Sequence, residues 1–236
     1  MKVVLKKKPK GVRIIEGFPG FGLIGTIATE FLLDHLKTEK IGTVEIDEIP
    51  AMIAIHQNKV IEPISFHYNK KYNLLIVHAI NIGKDLGWKL ADVINIVAKQ
   101  LQAKEIISLE GVGGPNSSQS RVFYFTEKKT PALRKLEGHA NPLMEGIIVG
   151  VTGALLSKET QAPLLALFAE AKSNMPDSRA AAQIIEALDA YLGLDVNPDP
   201  LLDQAKLFEK KLQGIATKKV AVDKIHQKKN RLSYVG

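Results

Sequence analysis

The chain has 236 residues, 45% of them hydrophobic and 24% charged, which is the composition of an ordinary globular protein. It contains no cysteine, so disulfide bonds, thiolate metal sites and a cysteine nucleophile are excluded. The formal net charge of +7 is concentrated at the two ends, because residues 1–13 carry +6 and residues 217–236 carry +5, which leaves −4 for the body; we therefore expect no nucleic-acid partner.

The first predicted strand leads into a glycine-rich turn. The stretch "EGFPGFGLIG" contains Gly20-x-Gly22-x-x-Gly25, the spacing of the dinucleotide-binding fingerprint, and the strand before it and helix pattern after it are the context that this fingerprint needs. An acidic residue belongs about 20 positions further on, and Glu45 and Asp47 lie there. The turn therefore raises nucleotide or nucleoside binding as one function hypothesis.

The residues between the glycines weaken that hypothesis. Pro19 has no backbone donor, and Phe18 and Phe21 place two aromatic rings, expected to be exposed, where a pyrophosphate would need open backbone. The alternative is that the glycines make a tight turn and let the helix pack close to the sheet. Apolar side chains at a turn are costly to expose on a monomer, so we expect a protein-interaction site formed by Phe18, Pro19, Phe21 and Leu23.

Strands predominate in the next part of the chain. Residues 42–80 contain four β-rich runs, with a plausible hairpin turn at Asn58-Lys59. A helix is predicted over residues 85–103, where apolar residues recur on one face. Trp88 lies at the start of this helix, and the sequence leaves open whether it belongs to the core or anchors an interface.

The second half of the chain alternates strands and helices. Further strands are predicted in residues 105–114, 121–126, 146–156 and 163–171, the third followed by a glycine turn and another element. A helix is predicted from a cap at Asp177 or Ser178 to Gly193, and another begins with Asp199 as N-cap. The pattern predicts an α/β fold of three layers, α/β/α, with a mixed sheet. We expect one domain over 1–198 and a C-terminal helix with a basic tail over 199–236.

No catalytic or metal-binding constellation is evident. The six histidines lack metal-ligand spacing, and neither a G-x-S-x-G elbow nor a P-loop is present. His56 and His78 are interpreted as sheet histidines with a satisfied hydrogen bond. We therefore expect a protein that is not an enzyme and has no cofactor or metal.

A membrane span and a signal peptide are not predicted. The longest uncharged apolar run, residues 146–156, is shorter than the roughly 20 residues that cross a bilayer. The basic N-terminus is not followed by a long apolar core. We expect a cytoplasmic protein with no membrane partner.

Several stretches together resemble the archaeal branch of the proteasome-assembly-chaperone family. They are "EGFPGFGLIGTIATEFL", "EIPA", "EGVGG", "GVTGALL" and "MPDSRAAAQIIEALDAYLGLDVNPDPLLDQA", and the resemblance runs over residues 12–212. It implies a phosphorylase/hydrolase-like α/β fold without retained phosphorylase chemistry. It also implies a homo-oligomer, a tetramer or pentamer, that binds 20S proteasome α subunits or a paralogous chaperone as assembly factor, adaptor or activator.

The C-terminus departs from the pattern of that family. Archaeal members of this kind end in a hydrophobic-Tyr-any triplet that inserts between α subunits. Here Tyr234 is third from the end, in Leu232-Ser233-Tyr234-Val235-Gly236, and the residue before it is polar. Leu232 and Tyr234 are the candidate docking residues of the tail.

Overall fold

A nine-stranded mixed sheet organises the described part of the chain. The computed structural model describes residues 1–49, 53–56, 58–80, 85–114, 121–171, 174–200 and 203. The strands are β1 (Lys2–Leu5), β2 (Arg13–Gly17), β3 (Glu39–Glu45), β4 (Ala54–His56), β5 (Lys59–Ile61), β6 (Ile64–Asn69), β7 (Leu74–Ala79), β8 (Glu105–Gly113), β9 (Val122–Phe125), β10 (Asn141–Pro142) and β11 (Leu164–Ala171). The helices are α1 (Ile24–His35), α2 (Gly87–Leu101), α3 (Gly150–Leu156) and α4 (Ser178–Leu192).

The strand order is β1-β3-β6-β7-β2-β8-β11-β9-β10, and β4 and β5 form a separate hairpin. The centre, β7-β2-β8-β11, is parallel. On one side β6, β3 and β1 continue the sheet in antiparallel pairs, and on the other side β9 is antiparallel to β11. The central strands are apolar almost throughout because they are buried on both faces, as in other parallel sheets.

Helices cover both faces of the sheet. Successive side chains of a strand point to opposite faces, and Ile14 accordingly packs with α2 and α3, whereas Ile15 packs with α1 and α4. The helix face that the sequence predicted for α1 is buried, as is the predicted face of α2. The three-layer α/β/α architecture with a mixed sheet is therefore confirmed. No helix in the described ranges has both the length and the apolar character needed to cross a membrane.

Helix α4 has the ends that its sequence predicts. The Asp177 carboxylate accepts a hydrogen bond of 3.0 Å from the Ala180 N–H, and Gly193 ends the helix with φ of +69°. Two tyrosine hydroxyls then hold this end against the amino edge of the sheet. Tyr191 donates to Glu105 at 2.6 Å, and Tyr72 donates to the Leu194 carbonyl at 2.6 Å. The chain therefore leaves α4 at the edge where the parallel strands begin.

Three local expectations need correction. Residues 146–149 are not a strand: β8 and β9 already occupy both sides of β11, so these apolar residues find no partner in the sheet, and α3 begins at Gly150. The β4–β5 hairpin is confirmed, but Lys59 pairs with His56, so the chain reverses one residue earlier than predicted. Asp199 is already helical, and its N–H donates to the Asn197 side chain at 3.0 Å, so it is not the N-cap. Residues 204–236 lie outside the described part, and the domain limits stay predictions.

The glycines of the first turn allow backbone to lie against backbone. A Cβ at Gly17 would lie 2.1 Å from the Gly25 carbonyl oxygen, and a Cβ at Gly25 would lie 2.4 Å from that of Leu109. A Cβ at Gly111 would lie 2.0 Å from the Phe21 carbonyl oxygen. Helix α1 therefore begins in direct contact with the backbones of β2 and β8, which is the tight-packing role that the sequence suggested for these glycines.

We predict that Gly111→Ala lowers the free energy of unfolding by about 3 kcal/mol, because the new methyl group meets fixed backbone and not a movable side chain. The matched control is Gly113→Ala on the same strand and face, where a Cβ would be nearest to Phe21 Cζ, at an ordinary contact distance of 3.8 Å. That control should change stability by no more than about 0.5 kcal/mol. Urea unfolding of the three proteins measures both values, and equal stabilities of the two variants would contradict the close contact.

Candidate functional site

A crevice of about 340 Å³ opens where the parallel strands end. The turn after β2 forms one wall with Phe18, Pro19, Gly20 and Phe21, and the end of β8 forms the floor. The residues before α2 and the segment 147–151 before α3 close the other side. In open α/β sheets ligands bind outside the carboxyl ends of the strands, so this crevice is the natural place to look for a site.

The chain's own Glu110 carboxylate occupies the position at the glycine turn where an anion would bind. Its Oε1 accepts a hydrogen bond of 3.0 Å from the Gly111 N–H, and the Phe21 backbone amide also bonds to the carboxylate. A Cβ at Gly20 would lie 2.0 Å from the same oxygen, so any larger residue there would displace this carboxylate. The glycine turn therefore already has an acidic partner, bonded to its Phe21 amide.

A hydrogen-bonded line of buried polar groups connects Glu110 with Glu16. Thr152 on α3 donates to Glu110 Oε2 at 3.3 Å, and its hydroxyl lies 2.8 Å from that of Ser108. The Ser108 hydroxyl is in turn within hydrogen-bonding reach of Glu16. The two glutamates lie on neighbouring strands in the same Glu-Gly sequence, one at the end of β2 and one three residues before the end of β8. This repetition is the signal in the sequence that could have found the cluster.

Burial dominates the chemistry of this pair. Removal from water raises the pKa of Glu16 to about 8, with Glu110 nearby adding to the rise. Burial likewise raises the pKa of Glu110 to about 7, against the lowering effect of its bonds to Gly111 and Thr152. Around neutral pH, Glu16 therefore retains its proton, and the pair does not carry two negative charges.

The acidic residues expected to bind a ribose do not reach the crevice. Strand β3 is three strand spacings from β2, or about 14 Å. Glu45 instead faces Lys2 at 3.8 Å, and Asp47 lies 3.6 Å from the amino group of Met1. The turn has the glycine spacing of a dinucleotide fingerprint, but the structure does not bring Glu45 or Asp47 to the turn.

The four apolar residues of the turn have different surroundings. Phe18 is only 3% exposed and packs on the α2–α3 side of the sheet, so the expectation of an exposed ring at this position is wrong. The reason is that Phe18 directly follows the central strand β2, so its side chain still points into the core before the chain turns. Phe21 and Leu23 are half-buried against the α1–α4 side, and Pro19 is also half-buried. Their role in a protein contact stays a prediction.

An apolar rim borders the crevice. It consists of Trp88, 58% exposed, with Ile147 and Val149, 91% and 73% exposed. The starts of α2 and α3 touch here, since a Cβ at Gly87 would lie 2.9 Å from the Gly150 carbonyl oxygen. Trp88 is therefore a surface residue and not part of the core, and its role as an interface anchor stays a prediction. Ile147 and Val149 were missed as surface residues because their β-like pattern predicted a buried strand.

His78 is a buried sheet histidine with partners on both ring nitrogens. Its Nδ1 lies 2.9 Å from the Thr29 hydroxyl, and its Nε2 lies 2.8 Å from a Glu30 carboxylate oxygen. This confirms the sequence interpretation of His78. Leu232 and Tyr234 lie outside the described residues.

Comparison with known proteins supports the resemblance found in the sequence. The PAC2 family profile matches residues 14–216. The crystal structure of Pyrococcus furiosus PbaA, an archaeal homolog of proteasome-assembly chaperone, is similar with a TM-score of 0.80 and 32% identity, covering 91% of this chain and 95% of that one. P. furiosus PbaB, an archaeal proteasome activator, has a TM-score of 0.73 and 23% identity over 91% and 98%. The uncharacterized protein MJ0106 of Methanocaldococcus jannaschii is 26% identical over 205 residues, 86% of this chain and 84% of that protein.

We predict that NAD, ATP, adenosine and inorganic phosphate leave the thermal unfolding of this protein unchanged, because the Glu110 carboxylate already lies against the glycine turn and bonds to its Phe21 amide. A ligand present at 100 times its dissociation constant would add about 2.7 kcal/mol to the free energy of unfolding. Differential scanning fluorimetry is sufficient to see such a change. A clear rise in melting temperature with any of the four would contradict this reading of the turn.

We also predict a pH-dependent effect of Glu16→Gln. The pKa of Glu16 in the folded protein, about 8, is above its ordinary value of 4.5, so between these values the unfolded chain releases a proton that the folded chain keeps, and the wild type loses stability as the pH rises. The amide has no such proton. Its stability relative to the wild type should therefore increase, by on the order of 2 kcal/mol, between about pH 5 and about pH 8. Urea unfolding at several pH values measures this, and a constant difference would contradict it.

Proposed function

The chain belongs to the PAC2 family, and from that premise we propose that it is a cytoplasmic, non-enzymatic protein of the proteasome-assembly-chaperone type. It forms a homo-oligomer, a tetramer or pentamer, and binds 20S proteasome α subunits or a paralogous chaperone as assembly factor, adaptor or activator. The observation that carries the proposal is the similarity to PbaA, at 32% identity over nine-tenths of both chains.

The surface of the protein supports a role in binding other proteins. Large apolar side chains of a monomer are usually scattered singly, and a group of them beside a crevice marks an interaction site. The apolar rim, Trp88 with Ile147 and Val149, is such a group. Aromatic anchors of this kind carry much of the energy at protein interfaces.

The crevice supports a role without catalysis. The glycine turn after β2 is filled by the chain's own Glu110 carboxylate, and Glu16 behind it is 1% exposed. A substrate would meet the apolar walls and the bonded face of Glu110 before it reached the buried hydroxyls of Ser108 and Thr152. This arrangement fits a structural cluster that stabilises the turn better than a site that turns over a substrate.

The C-terminal tail is the second proposed contact. Residues 217–236 carry six basic groups and a single acid, so the tail suits an acidic partner surface. Leu232 and Tyr234 are the apolar candidates within it. We place the anchoring on the ring of Tyr234.

We predict that the full-length protein retains purified α subunits in a pull-down at physiological salt, and that Tyr234→Ala raises the dissociation constant at least tenfold, about 1.4 kcal/mol. The control is Ser233→Ala, which changes the neighbouring residue of the tail and should bind as the wild type does. Surface plasmon resonance gives the constants. No binding by the full-length protein would overturn the proposal, and equal binding by the two variants would remove Tyr234 from it.

A further inference from the structure

The β4–β5 hairpin exposes one apolar face. Ile55 and Val60 are directly opposite each other in the two strands, and Ile53 precedes Ile55 by two residues, the spacing that puts side chains on one face. All three are more than half exposed. No other helix or strand of the described chain packs substantially against the hairpin. A two-stranded hairpin is marginally stable in water by itself, so an uncovered apolar face on one requires a partner.

The same chain carries an apolar surface of matching size. The apolar rim beside the crevice adds three more large side chains, each also more than half exposed. Six such side chains are enough for the apolar centre of a standard interface, which buries about 800 Å² on each partner. One surface is the β4–β5 hairpin and the other is the crevice with its apolar rim. The two strands of the hairpin are about 5 Å apart, so the hairpin is narrow enough to lie along the crevice.

The hairpin of one molecule does not cover that molecule's own crevice. It connects β3 to β6, and even β6 is two strand spacings, about 10 Å, from β2. No residue of the hairpin lines the crevice among the described residues. Both surfaces lie along the carboxyl edge of the sheet but are displaced sideways, which suits contact between neighbouring molecules.

The segment that forms the hairpin and the lining of the crevice have opposite charge in the sequence. Residues 53–61 contain one lysine, one histidine and no acid. The described lining of the crevice includes Asp85 and Glu110 and no lysine or arginine. The lysines closest to Trp88 do not cancel this difference, because each forms an ion pair with a carboxylate: Lys89 with Glu48, and Lys158 with Asp92.

We infer that the β4–β5 hairpin of one copy docks on the apolar rim and crevice of a second copy, head to tail. This rests on the homo-oligomer of the proposed function and states how it is built. Because the two copies use different surfaces, each molecule has one hairpin and one crevice to offer, and such contacts close into a ring when the rotation between neighbours allows it. A ring of four or five copies needs no second kind of interface.

The first test compares the native mass of three variants with that of the wild type. Ile55→Thr with Val60→Thr removes the apolar face of the hairpin and keeps residues that favour strands. Ile147→Ser with Val149→Ser removes two of the three apolar side chains of the rim, both too exposed to matter for folding of the monomer. The control is Phe125→Thr, an exposed apolar strand residue at the opposite edge of the sheet. We expect the first two variants to dissociate at concentrations at least tenfold higher than the wild type and the control to match it.

The second test mixes the hairpin variant with the rim variant. Each lacks a different half of the contact, so a head-to-tail interface predicts that the mixture gives heterodimers, joined by the one intact junction, and no ring. Native mass spectrometry distinguishes these from monomers and from the wild-type assembly. Homodimers of the rim variant would indicate that hairpin meets hairpin, and a mixture without heterodimers would overturn the head-to-tail arrangement.

The remaining outcomes separate this inference from the proposed function. A monomeric wild type, or a hairpin variant with the wild-type mass, overturns the inference, while binding to α subunits is scored by itself in the pull-down. Loss of α-subunit binding in the hairpin variant with an unchanged native mass would assign the hairpin to that partner instead, and would also overturn the inference.

Discussion

The contact of backbone with backbone at the first strand–helix turn is the constraint on which the rest of the structure depends. Gly17, Gly25 and Gly111 have no side chain to hold the chains apart, so α1 begins against β2 and β8 at once. That contact fixes the turn, and the turn forms a wall of the crevice. The two Glu-Gly strand ends are brought side by side for the same reason.

The buried carboxyl pair follows from this close packing. In a nucleotide-binding fold the helix after such a turn leaves its first amides open to a phosphate. Here β8 continues beyond its last pair with β2, Glu16 with Ser108, and places the Glu110 carboxylate against the turn, where it bonds to the Phe21 amide. Burial then raises the pKa of both glutamates, and the hydroxyls of Ser108 and Thr152 bridge them. The close packing of α1 on β2 and β8 thus explains both the glycine spacing of the turn and the presence of the Glu110 carboxylate there.

Local sequence patterns predicted most of the fold. The elements that they missed depend on contacts between residues that are distant in the sequence. Helices α2 and α4 have a complete apolar face, and α4 also has its own cap residues, so their extent could be read from the chain. Residues 146–149 have the same apolar character as β11, but only the sheet determines which of them finds a paired edge. Phe18 was misjudged because a turn residue can still point into the core when the strand before it is central. The crevice and the rim combine residues as far apart in the chain as Phe18 and Val151, and no local pattern relates them.

The tyrosine contacts at the end of α4 hold this part of the chain away from the apolar surfaces. Tyr191 and Tyr72 tie residues 191–194 to the edge where the parallel strands begin, whereas the hairpin and the rim lie at the edge where they end. Burial and the bond to Glu105 raise the pKa of Tyr191, so this tie persists across the physiological pH range. The last segment of the chain thus departs from the pole opposite to the apolar surfaces. Residues at one pole can be substituted without disturbing the other. Relatives with the same assembly are therefore free to differ in the partners that their tails bind.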